Sequence, residues 1–136
     1  MNVMIVGGGG REHALAEHLA RSPRIGKLCA LPGNGGIAAL AECVPIPATD
    51  LDALVAFARE RSIDFAVVAP DDPLVMGLVD RLEAAGVRCF GPNARAAAIE
   101  GSKVYAKDLM RRYGIPTARS RVFDDADRAL EYAAAG

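Results

Sequence analysis

The apolar run Asn2–Val6 ends at four consecutive glycines, Gly7 to Gly10, and the chain restarts at Arg11 in a helical pattern. This junction constrains the fold more than any other stretch. A short unbroken apolar run closed by glycine is the pattern of a strand buried on both faces, as in a parallel sheet covered by helices. The glycines allow a sharp turn and a close approach of backbone to whatever lies opposite, which at the end of such a strand is a dinucleotide, a nucleoside triphosphate or a simple phosphate.

The rest of the chain repeats the strand-then-helix alternation. Ala14, Leu15, Leu19 and Ala20 recur at helical spacing until Ser22-Pro23 stops them. "KLCAL" (27–31) reads as a second strand closed by "PGNGG", and "ECVPIP" (42–47) as a short third one near an edge because of its prolines. Asp50 caps a predicted helix to about Arg61 with Leu51, Leu54, Val55 and Ala58 on one face. "DFAVVAP" (64–70), the helical "PLVMGLVDRLEAAG" (73–86) and "VRCF" (87–90) complete the series. The expected fold is α/β, a Rossmann-like doubly wound parallel sheet of five strands. Past Gly91 the pattern changes to "NARAAAIEGSKVYAKDLMRRYG", nearly all helix former except Gly101-Ser102, then an extended "IPTARSRVF" and a last helical segment. The expectation is a first domain over 1–100 and, over 101–136, the truncated start of a second.

Composition narrows the function classes. Sixteen basic against seventeen acidic side chains leave a net charge of −1, with no electrostatic footprint for duplex nucleic acid or an anionic membrane. No signal peptide is visible and no apolar run approaches about 18 residues, so neither export nor membrane spanning is expected. Cys29, Cys43 and Cys89 are odd in number, far apart and set in apolar stretches. They read as buried reduced thiols of a cytoplasmic protein. His13 and His18 are five apart and do not share a helix face as a zinc pair would, so no metal site is expected here.

The glycines themselves exclude two of the three ligands. A dinucleotide fingerprint needs Gly or Ala at its third position, which here is Glu12 counted from Gly7 or His13 counted from Gly8. It also needs an acidic residue about 20 positions on, where the second strand offers Ala30, Leu31 and Pro32. Neither NAD nor NADP is expected. The Walker A pattern is absent, since the one Gly-Lys pair, Gly26-Lys27, is followed by Leu28. A monophosphate remains. A helix start favours acidic side chains, and Arg11 there is unfavourable by about 0.3–1 kcal/mol unless an anion is bound beside it. The competing reading leaves Arg11 and Glu12 solvated and the glycines as a tight turn.

"MNVMIVGGGGREHALAEHLARSP", "LPGNGG" and "FGPNARAAAIEGSKVYAKDLMRRYGIPTA" together resemble the amino-terminal part of the phosphoribosylamine–glycine ligase family, the glycinamide ribonucleotide synthetases of purine biosynthesis. The resemblance spans essentially the whole chain. It departs at 69–74, Ala-Pro-Asp-Asp-Pro-Leu, where the family often has Gly-Pro-Glu-x-Pro-Leu, so that Asp71 is a shorter carboxylate. The family joins glycine to 5-phosphoribosylamine with ATP and Mg²⁺ (or Mn²⁺) through glycyl phosphate, giving glycinamide ribonucleotide, ADP and phosphate. It belongs to the ATP-grasp superfamily, whose members carry a Rossmann-like domain before the nucleotide clamp.

The resemblance thus implies an amino-terminal piece of a monomeric cytoplasmic ligase, inactive alone, with catalytic residues and most ATP and metal ligands outside it. The partners it implies are small molecules only. It implies a phosphoribosylamine site at Gly8, Gly9, Gly10, Arg11, Glu12, His13, Asn34 and Asp71: amides and Arg11 for the phosphate, Asn34 or Asp71 for ribose hydroxyls. Gly33-Asn34-Gly35 is equally a plain turn sequence. Lys103 resembles the lysine that ATP-grasp enzymes place near the nucleotide, or it is a solvated helix start. Another ATP-grasp ligase or carboxylase of nucleotide metabolism, and a non-catalytic nucleotide-binding module, are the alternative readings; glycine and ATP turnover by the full-length protein separates them.

Overall fold

The computed structural model describes residues 1–135. Contacts divide them after Gly101 into two compact units.

The first unit is built on strands β1 (Asn2–Gly7), β2 (Lys27–Pro32), β3 (Glu42–Cys43), β4 (Phe65–Val68) and β5 (Arg88–Phe90). They form one sheet in the order β3-β2-β1-β4-β5, every pairing parallel. The fold is therefore the Rossmann-like α/β sheet expected from the alternation. Between the strands run α1 (Gly10–Ala20), a 3₁₀ turn (Ile37–Ala39), α2 (Leu51–Glu60), α3 (Asp71–Val75) and α4 (Leu78–Ala84), with α5 (Ala94–Gly101) after the last.

Alternation of side chains along the central strands divides the core in two. Met4, Val6, Leu31, Ala66 and Val68 pack with Leu54, Phe57, Leu78 and Leu82 of α2 and α4, while Ile5, Ala30 and Val67 pack with Ala16 of α1 and with Ile37. β1 lies at the centre because Val3 to Val6 can be covered on both faces, and all four are 1% exposed or less. Asp50 caps α2 as expected, its Oδ1 accepting the Ala53 N–H at 3.1 Å.

Three local expectations are corrected. The helix read over 73–86 is two helices, because Gly77 adopts the left-handed region at φ 88° and breaks the turn although the apolar spacing runs straight through it. The third strand keeps only Glu42 and Cys43 of "ECVPIP"; Val44 still donates to Ala30 O at 2.9 Å, and Pro45 then has no N–H to continue the ladder. Of the cysteines only Cys29 is buried, whereas Cys43 and Cys89 are half-buried because they stand on the two edge strands. Burial, with a smaller contribution from the Glu42 carboxylate, pushes the Cys29 thiol up to about 11. Cys89 is raised to about 11 by burial and then by Glu83.

The second unit holds α6 (Lys103–Arg112) and α7 (Ala126–Ala134), capped by Ser102 and Asp125 through the N–H groups of Tyr105 and Arg128. Neither helix has a buried residue. Val104, Tyr105, Tyr113, Ile115, Leu130 and Tyr132 are all exposed, so this segment has no core comparable to that of the sheet.

Candidate functional site

The topology reverses beside β1: the chain leaves β1 toward β2 on one side and β4 stands on the other. In open α/β sheets the crevice outside the strand carboxyl ends at such a reversal is where ligands bind. Gly7 at the end of β1 and Pro70 in the turn after β4 are close there, Pro70 Cγ lying 2.8 Å from where a Cβ on Gly7 would stand.

Gly7 ends β1 at φ 117°, a conformation that side-chain-bearing residues rarely adopt. At Gly8 a Cβ would overlap the carbonyl of Gly33, so the loops after β1 and β2 are packed backbone on backbone. Asn34 joins the same two loops: its Nδ2 donates to Gly8 O at 2.8 Å, and its Oδ1 accepts the Ile37 N–H at 2.9 Å. The turn reading of Asn34 is therefore realised in these bonds. One N–H and one lone pair of the amide remain. His13 is half-buried against Gly36, where a Cβ would overlap the imidazole, and His18 is exposed.

α1 starts at Gly10, and its first intrahelical bond runs from His13 N to Gly9 O at 3.0 Å. The N–H groups of Gly10, Arg11 and Glu12 have no acceptor within the helix and carry its positive end. Gly10 has an unstrained φ and open space where a Cβ would stand.

Arg11 is exposed beside these amides, and its Nη2 lies 3.6 Å from Asp71 Oδ1 across the crevice. Arg11 is 68% and Asp71 49% exposed, and a pair so open to water contributes at most about 1 kcal/mol. An incoming anion can take over the guanidinium at little expense. An open groove of about 570 Å³ continues from Arg11 along Val68, Ala69 and Leu74 to Phe90 and Pro92. Phe90 is 66% exposed, an aromatic at the sheet's carboxyl edge that periodicity alone does not flag.

The Glu12 side chain departs most from the competing reading that leaves it solvated. It is neither a solvated first-turn side chain nor merely bulk in a fingerprint position. The residue is 4% exposed, and its carboxylate folds back so that Oε2 accepts the Gly9 N–H at 2.6 Å. The spacing Gly9-x-x-Glu12 is that of a capping box, and this signal could have found it.

The structure thus brings Gly8 to His13, Asn34 and Asp71 to one end of the sheet. Lys103 lies in the second unit, exposed near the start of α6. In that unit it is Lys107 that is engaged, donating to Thr117 Oγ1 at 2.7 Å and to Ala118 O at 2.8 Å. Among the described residues no three His, Cys, Asp or Glu side chains converge as metal ligands would. No helix among them is long and apolar enough to cross a membrane.

Residues 1–100 match the family model described as phosphoribosylglycinamide synthetase, N domain. The chain belongs to this family. All eight positions expected to hold phosphoribosylamine lie within the matched N domain, and Lys103 lies beyond it. A phosphoribosylamine–glycine ligase from Xanthomonas campestris pv. campestris is 49% identical over 134 residues, 97% of this chain and 31% of that protein. The chain spans about a third of the length of the curated relatives it matches. The crystal structure of a phosphoribosylamine–glycine ligase from Thermotoga maritima superposes with a TM-score of 0.64 at 34% identity, covering 88% of this chain and 26% of that one. An N5-carboxyaminoimidazole ribonucleotide synthetase from the same organism shares the fold alone, with a TM-score of 0.67 at 16% identity over 97% of this chain and 36% of that one.

Proposed function

We propose that this N domain supplies the phosphoribosylamine-binding part of an ATP-dependent ligase that joins glycine to 5-phosphoribosylamine, through glycyl phosphate, giving glycinamide ribonucleotide, ADP and phosphate. The observation that carries the reading is the group of unpartnered amides at the start of α1 beside an arginine that nothing in the helix calls for. Family membership and the similarity to phosphoribosylamine–glycine ligases support phosphoribosylamine as the substrate.

In this reading the N–H groups of Gly10, Arg11 and Glu12 donate to the phosphate oxygens, and the Arg11 guanidinium leaves Asp71 to add a charge-assisted bond. Asp71, so released, accepts a ribose hydroxyl, and the remaining N–H of Asn34 donates to another. Gly8 and Gly9 shape the loop, and His13 braces it against Gly36. Residues 101–136 begin an ATP-grasp domain in which Lys103 approaches the nucleotide. ATP and Mg²⁺ (or Mn²⁺) take part in the full reaction, with most of their ligands outside this chain. The protein is read as cytoplasmic and monomeric, with small molecules as its only partners.

The test is Arg11→Ala in the full-length enzyme. Loss of one charge-assisted hydrogen bond is worth about 1.5–3 kcal/mol, so kcat/KM for phosphoribosylamine is expected to fall about ten- to a hundredfold while the ATP dependence stays as it was. A shifted nucleotide KM with an unchanged amine dependence would instead put Arg11 in the ATP site.

A further inference from the structure

The phosphate reading leaves Glu12 unexplained. Counted from Gly7, the dinucleotide fingerprint has its second glycine at Gly9, whose bare backbone would meet a pyrophosphate, and its third at position 12, where glycine brings helix and strand together. Here the residue in the third place disables the second. The Glu12 side chain fills the space between Gly7, Gly9 and Pro70: a Cβ on Gly7 would stand 2.9 Å from Glu12 Cγ and 2.8 Å from Pro70 Cγ. Its Oε2 already takes the Gly9 N–H, and its Oε1 is buried without a protein donor. A neutral amide could accept the same bond from Gly9. What the carboxylate adds is charge, shielded from solvent and tied to the protein by one hydrogen bond.

We infer that Glu12 is a specificity-determining residue of this loop: it withholds the Gly9 amide and sets a fixed negative charge beneath the turn, so that the loop accepts one terminal phosphate and rejects a bridged diphosphate. The inference rests on the loop being a phosphate site. Three first-turn amides and the Arg11 guanidinium match the three oxygens of a phosphomonoester. A second phosphate has to be met by the backbone of the loop before α1, which is where Glu12 has removed the donor and placed a like charge.

The experiment compares ribose 5-phosphate with ADP-ribose by titration calorimetry on the chain as it stands, in Glu12→Gln and Glu12→Gly, with thermal melts confirming that each variant folds. Wild type is expected to prefer the monophosphate. In Glu12→Gln, which keeps the bond to Gly9 and loses the charge, the preference falls about tenfold, and in Glu12→Gly, which also frees the amide, it falls further. If Glu12→Gly does not fold, Glu12→Gln carries the comparison alone. Wild-type binding of ribose 5-phosphate with an unchanged ratio in every folded variant overturns the inference and leaves the phosphate loop standing. Failure of wild type to bind ribose 5-phosphate overturns both.

Discussion

Gly8→Ala is expected to lower the melting temperature of the chain by about 10 °C or more. The added Cβ would overlap the Gly33 carbonyl, and both partners in the clash are backbone, so no rotamer change relieves it. Over-packing of this kind costs about 1–3 kcal/mol. Any separation of the two loops also breaks the Asn34 bond to Gly8 O, which adds about 1 kcal/mol or more. A total of about 2–4 kcal/mol is a large share of the stability of a small domain, and each kcal/mol shifts a melt by about 4–8 °C at this size. A Gly8→Ala protein that melts within a few degrees of wild type would show that the two loops are not packed against each other.

Gly10→Val, two residues on, is expected to do the reverse. Gly10 has no left-handed φ to forfeit, and a side chain there meets open space, so stability should change by no more than about 1 kcal/mol. A β-branched side chain beside the first-turn amides obstructs the approach of a ligand to them. In the full-length enzyme kcat/KM for phosphoribosylamine is expected to fall about tenfold or more, with the ATP dependence unchanged. Set beside Gly8→Ala, the variant separates a glycine needed by the fold from one needed at the site. Steady-state kinetics with unchanged amine dependence would mean that the open space at Gly10 is not where the substrate enters.

The strand and helix pattern was legible because burial imposes it. Val3 to Val6 and Ala66 to Val68 form unbroken apolar runs because parallel strands at the centre of a sheet are covered on both sides, and Leu51, Leu54 and Ala58 recur at helical spacing because α2 is covered on one. The break at Gly77 was hidden because Leu74, Leu78 and Leu82 keep helical spacing across it; what interrupts the helix is a backbone angle, on which periodicity is silent. The candidate site was legible in part. The glycine run and the misplaced charge of Arg11 direct attention to the start of α1. The alternatives at Asn34 are not separable in the sequence, since a turn former and a ribose contact call for the same side chain. What the sequence does not display at Glu12 is the reach of its side chain: three residues after Gly9, it is placed to fold back and accept that amide.

The central claim is that the start of α1 binds the phosphate of a ribose phosphate. The most direct measurement is a titration of the chain with ribose 5-phosphate followed in its backbone amide NMR spectrum. The expected result is saturable shifts concentrated at Gly8 to His13, with smaller ones at Asn34 and Asp71, and loss of the response in Arg11→Ala. Shifts centred elsewhere, or no saturable response at Gly10 to Glu12, would contradict it.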